Sequence, residues 1–276
     1  IVDRAHHFFA FLLGAPRDQA SWKPVATGLG EVIEREKAGV RFSQKHLHHK
    51  RGHGFAAPAA GVSHCNGTKR PANRRQTKSV GRMMHNVCLS EPFRRLNGFV
   101  NSALRIHNRA MFDENERVLS ALAERYPDIQ RNFDGKSVFA AMTVNLGPVS
   151  VTEPHRDPSN KPDNWCDITA AGNFDHKLGG KLVLVEPKLI IEIPAGVTVF
   201  IPSALITHYN LPIAPGETRY SITQYSAGGL FRWVNNGFKT QEARLRYMAP
   251  QAKAAFDRER RARWHEGVHK YFRKLA

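Results

Sequence analysis

The chain has 276 residues, 41% of them hydrophobic, which is enough for one large domain with a substantial core and argues against a disordered chain. Its charge is lopsided: 41 Lys and Arg against 24 Asp and Glu leave a formal net charge of +17, which favours a polyanionic partner, nucleic acid ahead of a membrane surface. Three cysteines without a CxxC pair exclude a disulfide framework and fit a reducing, intracellular setting, and no apolar run approaches the roughly 18 residues that a membrane helix needs.

Residues 1–36 mix apolar and charged positions without one clear period. Phe8 to Leu13 is too short to span a bilayer and is expected to pack against the core, and a short helix or strand is expected to end near Val32 and Ile33. Residues 37–90 contain no Asp or Glu, while Lys and Arg recur from Lys37 to Arg82 among His46, His48, His49, His53, His64 and His85. With Gly, Ala and Pro interleaved, this segment reads as a loop or arm whose cations contact phosphates and release counterions. Its competing readings are a solvated linker and a zinc site around His64 and Cys65, whose spacing matches no standard zinc pattern. Residues 91–126 read as two helices. Ser90 caps the first, Pro92 sits in its first turn, and Phe93, Leu96, Val100 and Leu104 recur at helical spacing. Asp113 followed by Glu116 resembles a capping box opening the second, with Pro127 just past its end.

From Ser137 to Tyr225 the pattern is β. Short apolar runs at Val138–Asn145, Lys181–Val185, Leu189–Ile193 and Val197–Ile201 are separated by Gly179-Gly180 and Pro194-Ala-Gly196, the punctuation of tight turns. After Gly237 helix returns, with Trp264, Val268, Tyr271 and Leu275 as an apolar stripe and Arg258, Arg260, Arg261, Arg263, Lys270, Arg273 and Lys274 on the other faces. The predicted fold class is α+β: a jelly-roll core over 137–238, a basic extension with bracing helices over 1–136, and basic C-terminal helices over 239–276.

The chemistry concentrates in the β segment. His155 and Asp157 stand two apart, so on a strand both project from one face. With His208 from a later strand they make two His and one carboxylate, the set that non-haem Fe(II) oxygenases use with positions left open. Arg219 and Ser221 also share a face. A guanidinium fork matches a carboxylate and a hydroxyl adds a donor, so the pair suits the far carboxylate of 2-oxoglutarate, whose keto-acid end would chelate iron beside the triad. Asn145, on the strand before, is not counted among the site residues. The competing readings are structural: buried or strand-end roles for His155 and His208, and pairing of Arg219 with Glu217 or Glu192.

His155-Arg156-Asp157-x-x-Asn160, the distal His208 and Arg219-x-Ser221-x-x-x-Tyr225 resemble the TET/JBP family of 2-oxoglutarate- and Fe(II)-dependent nucleic-acid dioxygenases. Residues 139–238 resemble the fungal TET-like proteins, notably in Trp165-Cys-Asp-Ile-Thr169 and Gln224-Tyr-Ser-Ala-Gly-Gly-Leu-Phe-Arg-Trp233. The resemblance implies a double-stranded β-helix, iron on His155, Asp157 and His208, and 2-oxoglutarate on Arg219 and Ser221. It also implies a flipped methylated base near Asn160 and Tyr225, methylated DNA as partner and a nuclear location, with no protein partner and no membrane. Two departures stand out. Ala227 replaces a base-stacking His of the animal enzymes, and their cysteine-rich zinc region has no counterpart, so N6-methyladenine joins 5-methylcytosine as an expected substrate. Trp165, Phe231 and Trp233 are secondary stacking candidates that compete with core packing. The functional rivals are a protein side-chain hydroxylase on the same fold and a metal-free jelly-roll binding module.

Overall fold

Apolar alternation in the second half of the chain builds a two-sheet core, and amphipathic helices from the first half cover one of its faces. The computed structural model describes residues 1–64, 68–272 and 274. It opens with strand β1 (Phe11–Gly14) and helix α1 (Gln19–Lys37), followed by the short helix α2 (Gln44–Leu47) and a hairpin of β2 (His48–His49) and β3 (Gly52–His53). Then come β4 (Ala59–Ser63), β5 (Ala72–Asn73) and the helices α3 (Lys78–Leu89), α4 (Glu91–His107) and α5 (Arg109–Arg125). The remaining strands are β6 (Ala141–Asn145), β7 (Cys166–Asn173), β8 (Leu182–Leu184), β9 (Leu189–Ile191), β10 (Thr198–Ile201), β11 (His208–Asn210) and β12 (Thr218–Tyr225). Helices α6 (Gly228–Asn235), α7 (Gln241–Leu245) and α8 (Pro250–Tyr271) close the chain. No helix among the described residues is long and apolar enough to cross a membrane.

Seven antiparallel strands form the large sheet in the order β1-β10-β7-β12-β6-β4-β5, and β11-β8-β9 form a small one. Between the sheets lie Cys166, Ile168 and Ala170 of β7, Leu182 and Leu184 of β8, and Val199 and Ile201 of β10. On the other face of the large sheet, Val144, Phe200, Tyr220 and Ile222 join α1, α3 and α4 in the main apolar cluster. The α+β jelly roll expected from the sequence is the fold found. The large sheet also takes in β1, β4 and β5, which precede residue 137 in the chain.

Several local expectations change. Residues 19–37 form a continuous helix whose buried face, Trp22, Val25, Leu29, Val32 and Ile33, has helical spacing; Pro24 near its start and two interior glycines hide it in the sequence. The 37–90 segment is not a free arm. β4 pairs with β6, Phe55 and Val62 are buried, and α3 buries Val80, Met83, Met84 and Val87. A buried strand needs only a few small or apolar residues, and these lie between cations that dominate the composition. The second bracing helix starts at Arg109, four residues before the expected Asp113. The Asn108 side chain accepts the Met111 N–H at 3.2 Å, and Asp113 pairs with Arg109 instead. In α8 the buried contacts are Phe256, Gly267 and Tyr271, while Trp264 is 44% exposed and Leu275 and Arg273 lie outside the described residues. A Cβ at position 267 would come within 2.2 Å of Asp163, so the helix backbone seats directly on the Lys161–Asp163 ion pair.

Gly61 tests how tightly the basic segment is built in. Its φ is +99°, and a Cβ there would meet the Ala140 carbonyl at 2.2 Å. Gly61→Ala should lower the unfolding free energy by about 3 kcal/mol. Gly54→Ala, at φ +81° with open space around it, should cost only about 1 kcal/mol. Equal shifts in urea denaturation midpoints would mean that β4 is not part of the core.

Candidate active site

β12 sets the site by simple alternation. Tyr220 and Ile222 point into the helix-covered cluster, so Arg219, Ser221, Thr223 and Tyr225 point to the inner face. Opposite them, β11 carries His208 and Asn210. His155 exchanges backbone hydrogen bonds with His208, its N–H donating at 3.2 Å and its carbonyl accepting at 2.9 Å, so the metal motif extends the small sheet by one residue rather than forming a strand. The Asp157 N–H donates to Ser203 O at 2.9 Å, which turns its carboxylate back toward the two imidazoles.

The ligand atoms of His155, Asp157 and His208 lie within 4.8 Å of one another, and no other group of three or more such residues does so among the described residues. The His155 Nδ1 lies 2.7 Å from Glu153 O and the His208 Nδ1 2.9 Å from Ile206 O. Each carbonyl accepts a hydrogen bond from Nδ1–H, which fixes the proton on Nδ1 and leaves the Nε2 lone pair free for a metal. Burial holds both imidazoles below their ordinary pKa, and for His155 the neighbouring His208 adds to the effect. Both are therefore neutral at neutral pH, as metal ligands must be. Two neutral imidazoles and a carboxylate on one side of a cavity fit an Fe(II) ion with its remaining positions open.

A narrow polar cavity of about 30 Å³ leads inward from the triad, lined by Asn145, Thr152, Asn210, Arg219, Ser221 and Thr223 among others. Arg219 is 1% exposed and its pKa is lowered to about 10 by burial, so it stays charged. Its Nη1 donates to Ser150 O at 3.3 Å, its Nε has no partner, and no carboxylate pairs with it among the described residues. Glu192 pairs with Lys181, and Glu217 accepts the N–H groups of Asp175 and Ala214, so neither acid that could have neutralised Arg219 does so. The Ser221 hydroxyl accepts from Asn145 Nδ2 at 2.6 Å, which leaves its own proton to donate. Asn145 Oδ1 and Thr223 Oγ1 are buried without partners. An unpaired buried guanidinium flanked by unsatisfied polar groups fits an anionic ligand such as a carboxylate of 2-oxoglutarate.

Outside the triad opens a cleft of about 710 Å³ that brings Asn160, Tyr225 and Ala227 together with His155 and Asp157. Asn160 Nδ2 donates to Ser203 Oγ at 2.9 Å, and the Tyr225 hydroxyl lies 2.9 Å from Thr143 Oγ1. Arg51, from the β2–β3 hairpin, borders both cavities, with its Nε 3.8 Å from Asp157 Oδ1. Trp165, Phe231 and Trp233 are core residues. Trp165 stacks on Phe200 and donates to Phe9 O, and the Trp233 indole donates to the Tyr126 hydroxyl. His64 turns both ring nitrogens to backbone carbonyls, of Gly229 and Thr68, and Cys65 lies outside the described residues. Sequence reasoning missed Thr223 and Asn210, although each stands two after a named site residue on the same strand. Arg51 had no such signal, because only the tertiary fold brings the hairpin to the triad.

No protein-family model matches the chain, and no curated protein matches it. Among solved structures, NgTET1 in complex with 5mC DNA aligns at a TM-score of 0.52 and 13% identity, over 78% of this chain and 70% of that one. An oxidoreductase of the 2OG-Fe(II) oxygenase family from Burkholderia pseudomallei aligns at 0.37 and 13%, over 71% of this chain and 77% of its own. A Pseudomonas putida prolyl-4-hydroxylase aligns at 0.35 and 15%, over 80% and 91%. The likeness to NgTET1 is one of fold, a jelly-roll core with helices packed around it.

The histidines carry a sign for pH. Their folded pKa values lie below the unfolded value of about 6.5, so the unfolded chain binds protons more readily. Their contribution to stability is present above that value and is lost as pH falls through the lowered folded values. The urea midpoint of metal-free protein should therefore drop between about pH 7.5 and pH 5.5. A His155→Gln/His208→Gln variant should flatten that drop, and an unchanged slope would contradict the burial argument.

Proposed function

We propose that the chain is an Fe(II)- and 2-oxoglutarate-dependent dioxygenase of TET-like type that oxidises methylated bases in DNA, 5-methylcytosine, N6-methyladenine or both. The observation that carries this reading is the pairing, across one small polar cavity, of a converging His-Asp-His set with a buried guanidinium that has no acid of its own. His155, Asp157 and His208 would hold the metal. Arg219 and Ser221 would bind the far carboxylate of 2-oxoglutarate and so orient its keto-acid end toward the triad. When bound, iron with 2-oxoglutarate and O2 supplies the oxidation of a methyl C–H bond to C–OH, with succinate and CO2 as the other products. On a ring carbon the hydroxymethyl group persists; on nitrogen it is lost as formaldehyde.

A nucleobase is favoured over a peptide side chain by the walls of the outer cleft. Lys50, Arg74 and Arg75 line it, and Asp157, itself a metal ligand in this reading, is the one acid among its lining residues. Asn160 offers an amide to a base edge and Tyr225 a ring to stack on, a contact that contributes about 1–3 kcal/mol. A base reaches such a cleft only when extruded from a duplex or already single-stranded. Acting on genomic DNA, the protein would be nuclear.

Incubation with Fe(II), 2-oxoglutarate and separate methylated oligonucleotides, followed by mass spectrometry of the nucleosides, should reveal a hydroxymethylated or demethylated base. Hydroxylated peptide with unchanged DNA would assign the chain to the side-chain hydroxylases instead, and absence of metal uptake would leave a binding module. Arg219→Ala should weaken 2-oxoglutarate binding about 100-fold, the scale expected for losing one partner of a buried charged pair, while DNA affinity stays the same. Equal loss of both would remove Arg219 from the co-substrate site.

A further inference from the structure

The geometry points to a nucleic-acid groove that runs from the active-site cleft over β5 and along the outer face of α3, where Arg74, Arg75, Lys78 and Arg82 hold the phosphate backbone. This rests on the nucleobase reading above and extends it from one base to the strand that carries it. The active-site cleft adjoins a second hollow of about 1000 Å³, and the two share Arg74 and Gln76 as walls. Lys78, Arg82 and His85 line the second hollow. They stand at helical positions i, i+4 and i+7, on one side of α3, because Val80, Met83, Met84 and Val87 turn the opposite side into the core.

Arg74, Arg75, Lys78 and Arg82 are all exposed, and none has a carboxylate partner among the described residues. Other cations nearby are engaged: Arg70 pairs with Asp128, and Arg131 with Glu116. The backbone that presents the free ones is fixed. Asn73 exchanges hydrogen bonds with Gln130 at 2.6 and 2.8 Å, the Arg74 N–H donates to Gly61 O at 2.9 Å, the Gln76 amide donates to Ala59 O, and Thr77 caps α3. A platform already ordered loses little entropy when a ligand binds. The tract ends where Asp134 joins the wall beside Cys88 and Leu89. A single phosphate would need one cationic cluster, whereas a row of unpaired cations that starts at the rim of the cleft and follows α3 matches a polymer of phosphates.

The test is binding of an unmethylated mixed-sequence DNA, as duplex and as single strand, measured by fluorescence anisotropy over a salt series. Unmethylated DNA keeps the groove separate from the base chemistry, so a groove that binds DNA in a protein that oxidises no base would refute only the earlier reading. Lys78→Gln/Arg82→Gln, both on the exposed face, should reduce the salt slope by about 2 and weaken binding about 50-fold near 0.1 M salt. Arg258→Gln/Arg261→Gln on α8, outside the groove, should change both far less. Wild-type protein that does not bind DNA, an acidic peptide that binds in its place, or equal losses in the two variants would each overturn the groove.

Discussion

A buried positive charge with no counter-ion is the constraint on which the rest of the site depends. Taking a guanidinium out of water costs several kcal/mol unless something compensates it, and Arg219 has a 3.3 Å bond to Ser150 O and the Phe174 ring 5.8 Å away, but no carboxylate among the described residues. The chain around it is stitched tightly to β12, which fixes where that charge sits. The Arg219 N–H donates to Pro148 O at 2.6 Å, while Arg219 O accepts both the Ser150 N–H and its hydroxyl, at 3.1 and 3.0 Å. Asn210 holds the next turn of chain, accepting from Thr152 N and Oγ1 and donating to Ser150 O. The segment that delivers His155 is thus hung between the strand of Arg219 and the strand of His208. One set of hydrogen bonds places both the His-Asp-His group and the buried guanidinium.

The basic segment takes part in the same arrangement. Glu153 N–H donates to Arg51 O at 2.8 Å, and His53 Nε2 lies 3.2 Å from the Glu153 carboxylate. A Cβ on Gly52 would strike Val151 O at 2.7 Å, so the hairpin backbone lies directly on the approach to His155. What composition suggests is a tether for a distant polyanion is also a structural support for the triad. Its cations project outward from a scaffold whose apolar residues, Phe55, Val62, Val80 and Met84, are core. Charge alone cannot separate these two roles, because exposed cations and buried apolar residues alternate within the same few positions.

That alternation also explains which parts of the structure were legible in the sequence. The inner face of β12 could be read from its period, since Arg219, Ser221 and Tyr225 needed only the two-residue repeat, with Tyr220 and Ile222 marking the opposite, core face. The triad was legible for a reason that held only in part. His155 and Asp157 were paired by strand geometry, yet the fold gives His155 a single bridge and turns Asp157 inward through Ser203. Helix α3 could have been read from Val80, Met83, Met84 and Val87, but its charge obscured the period. Helix α1 was hidden by Pro24 and its glycines, whose cost is offset by tertiary packing that no local window contains. Trp165, Phe231 and Trp233 show the converse. Aromatic type suggested stacking on a base, and only packing could reveal that Phe9, Phe200 and Tyr126 already engage the two indoles.

The site therefore separates two kinds of electrostatics. Arg219 works inside a cavity of about 30 Å³, where water and counter-ions are scarce and a single charge–charge contact is strong. Arg74, Arg75, Lys78 and Arg82 work at the surface, where each contact is weak and mobile ions screen any pair beyond about 8–10 Å. The first arrangement suits a single carboxylate group held in one pose. The second suits a long polyanion that gains affinity by repetition. Arg51 stands where the two regimes meet, bordering both cavities and lying 3.8 Å from Asp157, so anything that moves it changes the charge felt at the triad and the width of the passage together.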